Sequence, residues 1–105
     1  MKLWTQRDKF GNEIYLTAER WAHIVDPDNH PEVAPFFDYV RQNIQFGRRR
    51  QDRYAPNGYQ YYRAYSDLPD YNTHLVVCVR FRWPTNPDSS VREEKFVITA
   101  YFQVF

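Results

Sequence analysis

Three histidines are the side chains in this chain best suited to move a proton near neutral pH. His23 lies on the first predicted helix, roughly opposite its apolar stripe, and His30 stands just before Pro31, where a second helix is predicted to begin. His74 begins a predicted strand and is expected at the surface. His23 and His30 are therefore the candidate general acid or base residues. The spacings between the histidines match no zinc pattern, so we expect neither a metal site nor a cofactor.

Positive charge is concentrated in one segment. Residues 41–63 contain six arginines against one aspartate, a net charge of +5, although the whole chain carries only +1. The planar guanidinium suits phosphate because it makes paired hydrogen bonds and stacks on rings. The cluster predicts a compact patch for an anionic partner, and a charged edge strand that resists aggregation is the alternative. The residues predicted to contact a nucleic acid are Arg48, Arg49, Arg50, Arg53, Tyr61, Tyr65 and Arg82.

Two stretches near the end of the chain alternate in the manner of strands. In HLVVCVRFRW, residues 74–83, the odd-numbered positions are apolar and the other set ends in two arginines. In the last strand, the set expected under the helices is Phe96, Ile98, Ala100 and Phe102. The opposite face, open to solvent, is then predicted to collect Arg63, Arg80, Arg82, Thr99 and Tyr101, with Tyr61 and Tyr65 nearby.

These residue types are sufficient for RNA cleavage without a metal ion. Such an enzyme needs a base for the proton of the 2′-hydroxyl, an acid for the leaving oxygen, and cations for the charge that develops on phosphorus. The candidate catalytic residues are His23, His30, Arg63, Arg80, Thr99 and Tyr101. The set is not specific, since many basic domains of this size offer similar groups. The arginines and tyrosines could equally serve to bind unpaired bases and phosphates without cleavage.

The order of elements predicts an α+β domain over residues 1–105. An N-terminal hairpin or arm is followed by a helix with Thr17 as its N-cap, and by a second helix that ends at Gly47, predicted to be a left-handed stop. Asn57-Gly58 predicts a tight turn between two strands, and two further strands follow. We therefore expect two N-terminal helices packed on one face of a four-stranded antiparallel sheet.

Cysteine content and hydropathy bound the cellular setting. Cys78 is the only cysteine, so no disulfide forms within the chain, and we expect it to be a small apolar filler. The N-terminus shows no apolar run of signal-peptide length, and no segment has the run of apolar residues that a membrane span needs. The expectation is a cytoplasmic protein with no membrane partner.

Four motifs resemble a known group of nucleases. YLTAERWAHIVDPDNHPEV, YYRAY, LVVCVRF and FVITAYF, within about residues 13–103, are similar to prokaryotic and phage-associated domains with the barnase–EndoU–colicin–RelE-like nuclease fold. The resemblance implies two helices before a four-stranded antiparallel sheet, and metal-independent ribonuclease chemistry on the open sheet face. The positions that match the family pattern are His23, Arg63, Arg80 and Thr99, with His30 as a second matching histidine.

The functional prediction is a ribonuclease, in the setting of a toxin–antitoxin, phage or polymorphic-toxin system. Its substrate would be tRNA or mRNA, and its protein partner an antitoxin or another neutralising protein. Two alternatives use the same arginine–tyrosine surface: a non-catalytic RNA-binding module, and a protein-interaction domain. Cleavage, salt-sensitive binding without cleavage, and a stable protein complex distinguish the three.

Overall fold

Helices and strands follow one another in an order that the sequence reveals only in part. The computed structural model describes residues 1–105. Its elements are β1 (Lys2–Arg7), β2 (Glu13–Thr17), α1 (Ala18–Ile24), a 3₁₀ helix (Pro31–Phe36), α2 (Phe37–Phe46), β3 (Arg48–Gln51), β4 (Gly58–Ala64), β5 (His74–Arg82) and β6 (Glu94–Gln103). The strands form one sheet in the order β1-β2-β6-β5-β4-β3. All neighbours are antiparallel except β2 and β6, which run parallel.

The predicted four-stranded antiparallel sheet with two N-terminal helices is wrong, although the α+β class is correct. The N-terminal hairpin precedes the helices and joins the sheet through Tyr15, which pairs with Phe96, so the sheet is mixed and has six strands. The hairpin docks because Trp4, Ile14 and Leu16 are apolar and become buried in the main core. A parallel pairing leaves no turn signal in the sequence, and for that reason the pattern could not reveal it.

Both helices begin where the sequence restrains them. The hydroxyl of Thr17 accepts a hydrogen bond from the backbone N–H of Arg20 at 3.1 Å, which caps α1 as predicted. Pro35 lies inside the 3₁₀ helix, and regular α-helix begins only at Phe37, because proline cannot donate the backbone hydrogen bond that a helix interior requires. No helix of the fold has the length and apolar character needed to cross a membrane.

Gly47 ends α2 for a reason other than the predicted one. Its φ of −70° and ψ of 161° are extended, so the left-handed stop is wrong. A Cβ at this position would lie 2.3 Å from the backbone oxygen of Asn43 and 2.3 Å from that residue's side-chain oxygen. Glycine is therefore required by the close approach of α2 to the start of β3.

The core lies between the helices and one face of the sheet. Buried residues of this core come from α1, the 3₁₀ helix, α2 and five strands: Trp4, Ile14, Leu16, Ile24, Val33, Val40, Ile44, Tyr61, Leu75, Val77, Val79, Phe81, Val97 and Ala100. Asn43 is the buried polar residue of α2, and its side-chain amide donates to the backbone oxygen of Leu75 at 2.6 Å. This bond ties α2 to β5 and fixes which face of the sheet is covered.

A β-bulge in β6 changes the predicted face of its first half. Cys78 pairs with Thr99, but Val79 pairs with Val97, so Ile98 is the extra residue. Val97 therefore enters the core, and Phe96, which was predicted to lie under the helices, pairs with Arg80 on the opposite face. Strict alternation predicts the wrong face for residues on the N-terminal side of the bulge.

Candidate nucleic-acid interface

The sheet face opposite the helices, here called the open face, is built from cross-strand rows of polar and aromatic residues. One row crosses β3 to β6 as Arg50, Gln60, Cys78 and Thr99. The next row is Arg48, Tyr62, Val76 and Tyr101. Arg80 and Phe96 form a pair towards one end, and His74 and Gln103 form a pair towards the other. Only Val76 is fully buried on this face, so the rows present functional groups at or near solvent.

His30 reaches the row of Tyr101 from the turn between α1 and the 3₁₀ helix. The centroids of the two rings are 5.9 Å apart, and the planes are inclined by 33°. The Nδ1 atom of His30 lies 3.2 Å from Oε1 of Glu32. A carboxylate at one ring nitrogen orients an imidazole and favours the tautomer that leaves the other nitrogen to act on a substrate. His30 is thus a candidate proton-transfer group beside the open face.

Tyr101 and its neighbours hold their protons. Burial raises the pKa of the Tyr101 hydroxyl, and the neighbouring Cys78 raises it further, while the charge of Arg50 opposes both. Burial and the charge of Asp52 raise the pKa of the Cys78 thiol to about 11. The thiol is therefore neutral at physiological pH and is a poor nucleophile. The Thr99 hydroxyl oxygen is buried and has no hydrogen-bond partner within the protein.

Arg50 lies on the open face of the edge strand β3. Its Nε donates to Oε1 of Gln60 at 2.7 Å. Its guanidinium lies 5.4 Å from the ring centroid of Tyr62 and 5.2 Å from that of Phe105. Arg50 forms no ion pair with a carboxylate. The side chain is therefore held in place by an amide and two rings while its charge stays available.

A cleft opens at the edge of the sheet, where α2 ends and β3 begins, and we call it the basic cleft. Its volume is about 640 Å³. The lining residues are Lys9, Phe46, Gly47, Arg48, Arg50, Tyr62, Arg63, Ala64, His74 and Phe105. Four of these are permanent cations and none is an aspartate or glutamate. None of the four cations takes part in an ion pair.

Aromatic rings make up one wall of the basic cleft. The rings of His74 and Phe105 are stacked, with centroids 3.9 Å apart and planes inclined by 12°. Tyr62 lies 5.3 Å from Phe105 and 6.3 Å from His74. Burial lowers the pKa of His74, so its ring is mostly neutral at physiological pH. The cleft therefore combines charges suited to phosphate with rings suited to stacking.

Arg63, Tyr61 and Tyr65 do not lie on the open face, and the prediction that placed them there is wrong. Tyr61 pairs with Val77 and Arg63 with Leu75, both core residues, so this set of β4 faces the helices. The Tyr61 hydroxyl donates to the buried carboxylate of Asp8. Burial of the Tyr61 ring is favoured because Asp8 satisfies its hydroxyl. Since Asp8 lies far away in the sequence, the local pattern of β4 could not indicate this contact.

The environments of Arg63 and Tyr65 follow from the same register. The Nη1 atom of Arg63 lies 3.3 Å from Oε1 of Gln42, and its guanidinium lies over the rings of Phe46 and Tyr65. Tyr65 stacks on Tyr39 at a centroid distance of 4.1 Å. Arg63 thus borders the basic cleft from the helix side, and Tyr65 has a packing role.

Two arginines predicted to bind nucleic acid are committed to carboxylates. Arg49 faces the helices, 4.0 Å from the Asp8 carboxylate, and its guanidinium lies over the rings of Phe10 and Tyr59. Arg82 lies on the open face but donates twice to Oε2 of Glu94, at 2.5 and 3.1 Å. Their charges are therefore largely compensated within the protein.

The remaining predicted residues lie apart from one another. His23 is exposed on α1, in a shallow depression that Thr17, Glu19 and Arg20 also line. Arg80 is exposed on the open face, and Arg53 is exposed in the turn between β3 and β4. Of the predicted catalytic residues, the open face groups Arg80, Thr99 and Tyr101, with His30 beside them. Arg63 and His23 fall outside this group.

Several residues of the site carried no signal that sequence reasoning used. Lys9 belongs to the turn of the N-terminal hairpin, which lies beside β3 and β4 because Asp8 accepts from Tyr61 and Phe10 packs under Arg49. In the sequence, Phe46 stands at the end of a predicted helix, His74 at the start of a predicted strand and Phe105 at the end of another. Tyr62 could have been found, since it alternates with Tyr61 and one of the two must face away from the core.

No known protein family, curated protein or solved structure matches this chain. The structure also brings together no group of three or more histidine, cysteine, aspartate or glutamate side chains that could hold a metal ion. The resemblance to nucleases stays a prediction, and the functional argument rests on the open face and the basic cleft.

Proposed function

We propose that this domain binds single-stranded RNA on the open face and cleaves its backbone without a metal ion. The observation that carries the proposal is the position of His30: its ring is oriented by Glu32 and lies against Tyr101, on the face that also carries Arg50. The unpartnered hydroxyl of Thr99 belongs to the same row as Arg50. These groups supply what a metal-independent cleavage requires.

The proposed reaction is an internal transesterification. His30 takes the proton of a ribose 2′-hydroxyl, and the oxygen attacks the adjacent phosphorus to form a 2′,3′-cyclic phosphate. The bond from phosphorus to the 5′-oxygen breaks, and the leaving oxygen receives a proton from the Tyr101 hydroxyl, which is protonated at neutral pH. Arg50 offsets the charge on the phosphoryl oxygens.

The biological setting that we propose comes from the resemblance to toxin-associated nucleases. The substrate would be tRNA or mRNA, and a protein partner would neutralise the activity. Such a partner could cover the open face with acidic side chains, since an unpaired Arg50 and Arg80 need counter-charges when water is removed. A cytoplasmic location is part of this proposal.

A non-catalytic RNA-binding module is the second candidate, and the basic cleft is the observation that favours it. Four cations without carboxylate partners and a wall of rings are sufficient to bind unpaired nucleotides. This function needs neither His30 nor Tyr101. It predicts binding that weakens with salt and leaves the RNA intact.

The decisive experiment compares two histidine variants in EDTA. End-labelled tRNA and a single-stranded RNA are incubated with the wild type, with His30→Ala and with His23→Ala, which is the matched control on an exposed helix. We expect cleavage to fall at least about 100-fold in His30→Ala, and to be retained in His23→Ala.

Other results would overturn the proposal in distinguishable ways. Equal cleavage by all three proteins would indicate a contaminating nuclease or a site elsewhere. Loss in His23→Ala alone would move the acid–base role to α1. Salt-sensitive binding with no cleavage would support the RNA-binding module. Neither binding nor cleavage of RNA would favour a protein-interaction domain.

A further inference from the structure

We infer that the basic cleft is a seat for one unpaired nucleotide of single-stranded RNA, with a phosphate on Arg48 and Lys9 and a base on the ring wall of Tyr62, His74 and Phe105. The inference deepens the proposed function and rests on its RNA-binding part. It adds a specific seat and a requirement for an unpaired base. The cleft contains neither His30 nor Tyr101, so the two ideas can fail separately.

Unpaired positive charge in the cleft supports a phosphate site. Lys9 and Arg48 are exposed, and no side-chain hydrogen bond or ion pair engages either one. By contrast, Lys95 pairs with Glu93, and Arg7, Arg49, Arg82 and Arg92 also lie beside carboxylates. Unpaired cations grouped in a concave site raise the local concentration of an anion, and arginine suits phosphate best.

The ring wall carries the second step. Phe105 lies with one side on the His74 ring and with the Arg50 guanidinium over it, although 49% of its surface remains exposed. Exposed aromatic rings and guanidinium planes are the surfaces on which proteins stack an unpaired base. Because burial lowers the pKa of His74, its ring contributes stacking surface more than charge.

Size and position carry the third step. A volume of about 640 Å³ lies in the range of small-ligand sites, and it admits a nucleotide without requiring the protein to open. The cleft lies at the edge of the sheet, where a chain crossing the open face would leave it. The bases of a duplex are stacked on one another and cannot reach the ring wall, so the seat selects single strands. An acidic peptide could use the cations but would gain nothing from the rings.

The test measures binding with a strand that cannot be cleaved. The probe is a fluorescein-labelled 2′-O-methyl RNA dodecamer, which lacks the attacking hydroxyl, and its anisotropy is followed against the wild type, Arg48→Gln, Phe105→Ala and the control Arg7→Gln. Arg7 lies on β1 and pairs with Glu13, outside the cleft. The same strand annealed to its complement and a poly-glutamate peptide serve as competitors.

We expect Phe105→Ala to weaken binding about 5- to 100-fold, the range for loss of one base–aromatic stack. Arg48→Gln should lower the slope of log affinity against log salt by about 0.7, the value for one phosphate contact on a single strand. Arg7→Gln should match the wild type. The single strand should compete much better than the duplex or the peptide.

Two outcomes would overturn the inference, and a third is decided by the second variant. An unchanged affinity in both cleft variants would overturn it. If unmodified RNA is still cleaved in that case, the proposed function stands without the nucleotide seat. Stronger competition by poly-glutamate would indicate a protein partner. If Phe105→Ala loses binding and also unfolds at a lower urea concentration, the loss is a folding effect. The affinity and salt slope of Arg48→Gln, an exposed substitution, then decide whether the inference stands. Conversely, cleft-dependent binding without cleavage would leave the seat standing while the nuclease proposal fails.

Discussion

The two ends of β5 carry positive charge in different ways. At the end near Arg82, cations and acids are matched: Arg82 and Arg92 both donate to Glu94, and Lys95 pairs with Glu93. At the end near His74, the basic cleft collects four cations and no carboxylate side chain. The first arrangement gives every one of its three cations a carboxylate partner, whereas the second leaves its charge for a partner.

The comparison separates arginines that the sequence presents as equals. Arg48, Arg49 and Arg50 are consecutive, yet the strand sends the middle one to the helix side, where Asp8 lies 4.0 Å away, and sends the other two to the open face. One performs a structural role and two are free to bind. A count of basic residues therefore overstates a binding surface until each cation's partner is known.

The largest expected effect falls on the structural side of this comparison. Asp8 is buried and accepts hydrogen bonds from Tyr61, from Asn12 and from two backbone N–H groups. Asp8→Ala would leave the Tyr61 hydroxyl and the Arg49 charge without this partner, and we expect the free energy of unfolding to fall by about 3 kcal/mol. Urea unfolding measures it. A change as small as that of a surface substitution would show that the carboxylate is not needed for the hairpin to dock.

The next effect falls on the binding side. Replacing Arg48 and Arg50 together by glutamine should weaken the affinity for single-stranded RNA by about 10- to 100-fold and lower the salt slope by about 1.4, because two phosphate contacts are lost. The urea midpoint should move little, since neither residue has an ion pair to lose and the hydrogen bond from Arg50 to Gln60 is exposed. Arg82→Gln is the matched control, and an equal loss of affinity there would abolish the distinction between the two ends.

Much of the fold could be predicted because its signals are local. The N-cap of α1 and the alternation of β5 each depend on residues close in sequence, and Thr99 and Tyr101 share the open face with Arg80 in the register. The tight turn predicted at Asn57-Gly58 is wrong in its position, because Gly58 already belongs to β4 and residues 52–57 connect that strand to β3. What could not be predicted depends on distant residues. The face of β4 is decided by a hydrogen bond that spans 53 positions.

Two further errors have the same origin. The bulge at Ile98 and the parallel pairing of the N-terminal hairpin are set by packing across the sheet and not by any short pattern. The site could not be predicted for the same reason. The basic cleft is formed by a hairpin turn, a helix end and the last residue described, so no single segment of the sequence contains it.

Acid should weaken the structural side in a defined direction. Although burial opposes it, the hydrogen bonds from Tyr61, Asn12 and Phe10 hold the pKa of Asp8 below its usual value. A carboxylate whose folded pKa is depressed adds stability above its unfolded pKa, and that stability is lost as pH falls through the folded value. We expect the unfolding free energy to decrease between about pH 5 and pH 2, and to decrease less in Asp8→Asn. Identical pH profiles for the two proteins would contradict the assignment.

The smallest expected effect would convert the end near Arg82 into a second basic patch with unpaired arginines. Glu94 accepts from both Arg82 and Arg92, and these bonds hold its pKa below the usual value. Glu94→Gln keeps the shape of the side chain but removes the charge that both arginines share, so we expect the affinity for single-stranded RNA to rise about twofold to fivefold at low salt. The gain should vanish near 0.5 M salt, because exposed charges are screened there. If the affinity does not rise, the position of the cations matters more than their charge, and the cleft binds RNA because its cations adjoin a wall of rings. If the affinity rises as much as the cleft variants lower it, unpaired charge alone governs binding and the rings are dispensable.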